Sequence, residues 1–230
     1  MTLTLTVSDE VRALAPGFTH VAVEAHGLTN GPSTEGTSAL LDDAARRLAG
    51  RLDGRAPHED PHMAAWREVY TAFGSKPSRT RNSAEALARR ALSDAGLPRI
   101  NLLVDLYNAV SVARLIPVGG EDIDRVSGGM RLVRAAGDEE FETVADGAGT
   151  VEHPDAGEVV WRDAVGVTCR RWNWRQGPRT RLTERSTSAI FLLEGLAPLP
   201  VPALGAAAAE LAELLEKFSP GARVTVHAPV

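Results

Sequence analysis

The sequence predicts an α/β fold of mixed α+β type, with a central mixed sheet flanked by helices, in a single domain over residues 1–230. Three observations lead there. Helical apolar spacing recurs in the N-terminal half and near the C-terminus. A glycine-rich stretch between them, residues 130–193, breaks into short strand-like runs at close spacing. A chain of 230 residues also buries enough surface to hold a core without disulfides or a structural metal.

The elements follow in order. Thr2–Val7 alternates polar and apolar residues and reads as a strand, as does Phe18–Ala25. Between them Ser8 caps a short helix, Asp9–Leu14, stopped by Pro16-Gly17. Gly27–Gly36 is turn chemistry. Ser38–Leu52 carries Leu40, Leu41, Ala44, Leu48 and Leu52 at helical spacing. In His62–Phe73, Trp66, Val69, Tyr70 and Phe73 share one face, and Gly74 closes the helix. Ser75–Asn82 is a polar, basic loop. Ser83 is expected to cap a helix running through Ala95, with Gly96 and Pro98 as stop signals. An apolar run, Ile100–Tyr107, leads into a helix at Asn108–Leu115. Strands are expected at Met130–Ala135, Phe141–Val144, Glu158–Arg162, Val165–Arg171 and Ala189–Leu193. Ala203–Phe218 reads as a helix, Arg223–His227 as a last strand, and Pro198–Pro202 as a short connector.

The single Cys169 excludes an intramolecular disulfide and fits a reducing compartment. No apolar run approaches the roughly 20 residues of a membrane span, and the N-terminus lacks a signal-peptide pattern. A cytoplasmic protein with no membrane partner is expected. The formal net charge of −5 excludes a generally basic nucleic-acid binder. Charge is nevertheless concentrated: Arg170 to Arg185 holds six arginines and one acid, and Lys76, Arg79 and Arg81 form a second cluster.

No phosphate-binding loop, dinucleotide fingerprint or Gly-x-Ser-x-Gly elbow is present. His58 and His62 are four apart, but Pro61 forbids a regular helix facing both at one metal. Cys169 sits in an apolar run and reads as a core residue rather than a nucleophile. Asp122 and Asp124 read as a turn rather than a metal site. No cofactor or metal is called for.

Two segments carry the polar residues of interest. Asn101, Asp105 and Asn108 recur at helical spacing inside an apolar run, so they need partners or a cavity. Asp105 and Asn101 are expected to cap and brace the helix. For Asn108, bracing and lining a pocket both stand. Cys169–Gly177 alternates arginine, tryptophan and amide residues. Such a pattern offers stacking faces beside phosphate-pairing forks. The competing reading is a solvated hairpin whose tryptophans pack on the core. The site is expected where Asn101–Asp124 meets Cys169–Arg181.

These same residues resemble the editing domain of the beta subunit of bacterial phenylalanyl-tRNA synthetase. Asn101, Val104, Asp105, Asn108, Val110, Pro117, Asp122, Asp124 and Arg125 fall in step with that family's motifs. Gly129–Ala136 and Phe191-Leu192-Leu193-Glu194 resemble its later strands, and the likeness covers roughly Leu97–Pro198. It implies a free-standing editing domain: an α/β fold whose pocket takes the aminoacylated end of tRNA and hydrolyses a mischarged ester. By that resemblance Asn108 and Gln176 orient water or the ammonium group. Backbone amides at Gly119 and Gly120 serve the oxyanion. Tyr107, Trp172 and Asn173 contact the substrate, including its amino acid moiety, and Lys76, Arg79, Arg170, Arg171 and Arg175 hold phosphates. The family's threonine, histidine and glutamate fall on Tyr107, Gly119 and, near it, Gln176, so its tyrosine-recognising set does not carry over residue by residue. The alternative is a non-catalytic pocket that binds a free amino acid or a tRNA acceptor end. Oligomeric state is not encoded in any motif.

Overall fold

A computed structural model describes residues 3–145 and 147–230, and the mixed α+β class is what it shows. The chain begins with β1 (Leu5–Val7), α1 (Asp9–Leu14) and β2 (Phe18–His26). Four helices follow: α2 (Glu35–Leu52), α3 (Pro61–Ala72), α4 (Ser83–Ala91) and α5 (Leu102–Arg114). Next come β3 (Val118–Asp122), β4 (Met130–Arg134), β5 (Phe141–Ala145), β6 (Ala148–Glu152), β7 (Val159–Arg162), β8 (Val167–Arg170) and β9 (Arg175–Gln176). The chain ends with β10 (Ser188–Leu196), α6 (Val201–Phe218) and β11 (Arg223–Val226).

The strands divide between two main sheets and a separate hairpin, β5–β6. One sheet runs β1-β4-β7-β8-β9, with β1 parallel to β4 and the other pairs antiparallel. The second runs β11-β2-β10-β3 and is antiparallel throughout. Strand period decides what each face buries. Phe18 and Ala22 of β2, with Ile190 and Leu192 of β10, join Trp66, Leu132, Trp161 and Trp172 in one core. Val21, Val23, Phe191 and Leu193 point the other way, onto Leu103 and Leu106 of α5 and Leu211 of α6. Both faces are therefore covered, which explains why β10 is apolar from Ala189 to Leu193 instead of alternating.

The helix bearing the polar triplet is one element. Asn101 is its N-cap, its Oδ1 accepting from Val104 N at 3.1 Å. Asp105 is fully buried and accepts from Thr37 Oγ1 at 2.9 Å and Ile100 N at 3.0 Å, tying α2 to α5. Both act as braces, as their spacing predicts. Other boundaries differ from expectation. Asn82, not Ser83, caps α4, accepting from Glu85 N at 2.9 Å, and that helix ends at Ala91 rather than Ala95. Strands β3, β6 and β9 are additional to those expected: glycines at Gly119-Gly120 and Gly147–Gly149 read as turn residues for the first two, and β9 is only 2 residues long. Of the strand expected at Thr2–Val7, Thr2 lies outside the described residues.

Candidate functional site

The two segments converge on one cavity of about 320 Å³. Tyr107 and Asn108 of α5 and Gly119 of β3 line one side. Cys169, Trp172, Asn173, Trp174 and Gln176 line the other. Asn108 thus lines the cavity, the second of its two readings. Arg171 lies behind the wall, its guanidinium 4.7 Å from the Trp174 ring.

The wall is a strained turn joining β8 to β9. Arg171 (φ 46°) and Trp172 (φ 66°) both adopt the left-handed region, which costs a side-chain-bearing residue roughly 1–3 kcal/mol. Specific bonds hold it there. Trp172 is fully buried, packed edge-on against Phe18 and Trp66 at 4.9 and 5.3 Å between ring centroids. Arg171 N donates to Glu158 at 3.0 Å and Arg171 Nη1 to Thr80 Oγ1 at 2.9 Å. Tyr70 donates its hydroxyl to Asn173 Oδ1 at 2.8 Å.

Glu194 fixes the turn from β10. Its carboxyl accepts from Trp161 Nε1 at 2.9 Å, Trp172 Nε1 at 3.1 Å and Asn173 Nδ2 at 2.8 Å. Burial pushes its pKa up to about 7, against the pull of these three donors. Glu121, on β3, also lines the cavity, and its Oε2 has no hydrogen-bond partner. Burial raises it to about 7 as well, with Thr180 and Gln176 pulling it partly back.

Sequence alone singles out neither glutamate for a role. Glu194 ends an apolar run and Glu121 follows two glycines. For Glu194 the available signal is a carboxylate following an apolar strand run, which demands buried partners. Arginines, lysines and histidines are absent from the cavity lining among the described residues.

The remaining expected residues take varied places. Gln176 donates to the Gly120 carbonyl at 2.7 Å. Gly120 itself lies in the β3–β10 packing and does not line the cavity: a Cβ there would meet Leu182 Cδ1 at 2.9 Å and the Phe191 ring at 3.1 Å. Gly119 is exposed, with nothing within 4 Å of a Cβ. We therefore expect Gly119→Ala to change stability by less than about 0.5 kcal/mol. Gly120→Ala should cost about 1–3 kcal/mol through overpacking. Urea unfolding of the two variants checks the pair.

Arg170 is buried and gives its guanidinium to Glu158 at 2.8–2.9 Å and Glu152 at 2.9 Å, so it does not reach solvent to meet phosphate. Arg175 is half-buried, between Glu152 and Thr143. Lys76 and Arg79 are exposed, on the loop that leads to the Thr80–Arg171 contact.

Cys169 lines the cavity, but burial and then the nearby Glu121 and Glu194 raise its thiol pKa well above the usual range, so it is no ready nucleophile. His62 is buried; its Nδ1 faces the Leu115 carbonyl at 3.1 Å, while Nε2 accepts from Trp66 Nε1 at 2.9 Å and Leu196 N at 3.2 Å. Asp122 closes a turn, accepting from Asp124 N at 3.1 Å. Among the described residues no cluster of three or more His, Cys, Asp or Glu is arranged to hold a metal. No helix is long and apolar enough to cross a membrane.

Two carboxyls, Glu121 and Glu194, thus stand among the apolar and amide residues that line the cavity, and no arginine lines it among the described residues. Residues 65–217 match the family model of the B3/4 domain, and the chain belongs to that family. No curated protein matches it. Among solved structures it is similar to an N-terminal fragment of the phenylalanyl-tRNA synthetase beta-subunit from Pyrococcus horikoshii, at 12% identity and a TM-score of 0.44. That alignment covers 97% of this chain and 50% of the other, so the chain spans about half the length of the fragment.

Proposed function

We propose that the cavity hydrolyses the ester of a mischarged aminoacyl-tRNA. The observation that carries this reading is the charge of the lining: two carboxyls and no cation among the described residues. A free amino acid brings a carboxylate, which such a pocket repels. An esterified amino acid has none, and its ammonium group suits the acidic floor. Hydrolysis then creates a carboxylate in place, and repulsion favours product release. The same argument weighs against a binding module for free amino acids.

The resemblance of Asn101–Arg125 to an aminoacyl-tRNA editing domain, within the B3/4 match, supplies the substrate class. An activated ester needs a positioned water and a polarised carbonyl rather than a metal or protein nucleophile. Asn108 and Gln176 bracket the space for that water, and the Gly119 backbone leaves open room for the acyl group. Lys76 and Arg79, exposed on their loop, serve the terminal phosphates.

Incubation with a panel of mischarged tRNAs tests the reading directly. Release of at least one amino acid well above the buffer rate is expected; no release across a full panel sinks it. Lys76→Ala with Arg79→Ala should raise KM, and the slope of binding against salt should flatten by about one for each phosphate left unpaired. In thermal-shift measurements, free amino acids should give no stabilisation, in contrast to non-hydrolysable aminoacyl-adenosine amides.

A further inference from the structure

Of the ionisable groups that line the cavity, one is placed to exchange a proton with a water molecule. Tyr107 is held protonated by burial and by Glu121 beside it. Cys169 is held as the thiol. Glu194 is occupied by three N–H donors from Trp161, Trp172 and Asn173. Asn108, Asn173 and Gln176 cannot take a proton. Glu121 remains, 4% exposed, with Oε2 unpartnered and no histidine or cation among the described lining residues to compete for it.

Its place in the sheet explains why Oε2 has no partner. Glu121 sits opposite Ile190 of β10, which offers no side-chain donor. Arg179, the nearby cation, is bound bidentately by Asp163 at 2.7 and 2.8 Å, so its charge is largely neutralised there. On its other edge Glu121 is bridged to Arg181, which is exposed, and the other polar groups facing it, Thr180 and Gln176, are neutral.

We infer that Glu121 is the general base of the esterase reaction proposed above, and the inference rests on that reading. The carboxylate takes a proton from a water held between it, Asn108 and Gln176. The water oxygen forms a bond to the ester carbonyl carbon, and its π pair moves to the carbonyl oxygen. Collapse of the tetrahedral adduct breaks the bond to the ribose oxygen, which leaves with the proton returned by Glu121. The amino acid departs as its carboxylate, and its acidic proton passes to solvent. One water is consumed and no oxidant or metal is required. A carboxyl raised to about 7 by burial is matched to this work near neutral pH.

The test compares wild type with Glu121→Gln and Glu121→Ala on whichever charged tRNA the panel identifies. Glu121→Gln should lower kcat by roughly 100- to 10,000-fold with KM changed little. In wild type, kcat should climb through about pH 7 to a plateau, and the variant should lose that limb. Formate should restore part of the rate to Glu121→Ala, because the vacated space admits a small carboxylate. A Glu121→Gln enzyme with wild-type kcat and an unchanged pH profile overturns the inference. So does a folded Glu121→Ala enzyme, by urea unfolding, that is slow yet indifferent to formate. In both cases the esterase reading stands. A wild-type protein that hydrolyses no charged tRNA overturns both.

Discussion

Glu194→Ala should unfold with about 4 kcal/mol less stability than wild type, the largest loss expected from a single polar residue here. The truncation leaves Trp161 Nε1, Trp172 Nε1 and Asn173 Nδ2 without the acceptor each now has. A buried donor stripped of its partner costs roughly 1–3 kcal/mol, and the missing side chain adds a cavity. The consequence spreads to backbone, because Trp172 and Asn173 belong to the turn held at positive φ. With the anchor gone, that turn is free to relax and the cavity wall moves with it. Glu194→Gln keeps the shape and one acceptor oxygen, so it should lose only about 1–2 kcal/mol. Urea unfolding at pH 5.5 is the appropriate comparison. There the folded carboxyl, with its pKa raised to about 7, is largely protonated, so removing it relieves no buried charge. A loss below 1 kcal/mol for the alanine variant would show that the three donors find other acceptors.

The contrast between Glu194 and Asp105 shows what a sequence can reveal. Asp105 sits at helical spacing from Asn101, and both brace the helix as that spacing predicts. Local periodicity carries that information. Glu194 receives its donors from positions 161, 172 and 173, on a different sheet, and no local pattern records such a meeting. The same holds for the arginines. Their density near Arg170 is plain, but density does not say which are paired internally. Arg170 goes to Glu158 and Glu152, twelve and eighteen residues upstream, and Arg171 also lies against Glu158 and Asp155, at 3.5 and 3.7 Å.

The glycines mislead in the opposite direction. Gly119-Gly120 resembles a turn or an anion cradle, yet forms a strand, and Gly120 is there so that β3 can approach Phe191 and Leu182. The tryptophan-arginine segment is a hairpin with Trp172 packed in the core, and Trp172, Asn173 and Trp174 also form a cavity wall.

Glu121→Gln should be more stable than wild type in alkali and equal to it in acid. Glu121 has a folded pKa of about 7 against an ordinary 4.5. A raised pKa means the folded state holds its proton more tightly, so the group's contribution is fully present below about pH 4.5. It is lost as pH rises through about 7. The gap between variant and wild type should widen by about 1.4 kcal/mol per pH unit across that window, to roughly 3 kcal/mol. His20 and His62 work in reverse. Burial lowers both from 6.5 to about 4, so their contribution is present above 6.5 and is lost as pH falls through 4. Between about pH 4.5 and 6.5 the two buried histidines oppose Glu121 and Glu194, and wild-type stability should be nearly flat. Removing Glu121 tilts that plateau upward toward alkali. Unfolding curves at pH 4.5 and 8.5 decide the matter: a gap of equal size at both would mean that Glu121 titrates normally. A Glu121→Gln variant more stable than wild type would show that the fold does not need this carboxyl. In a cavity whose other carboxyl is engaged by three donors, the stability Glu121 costs is what a base of that pKa requires.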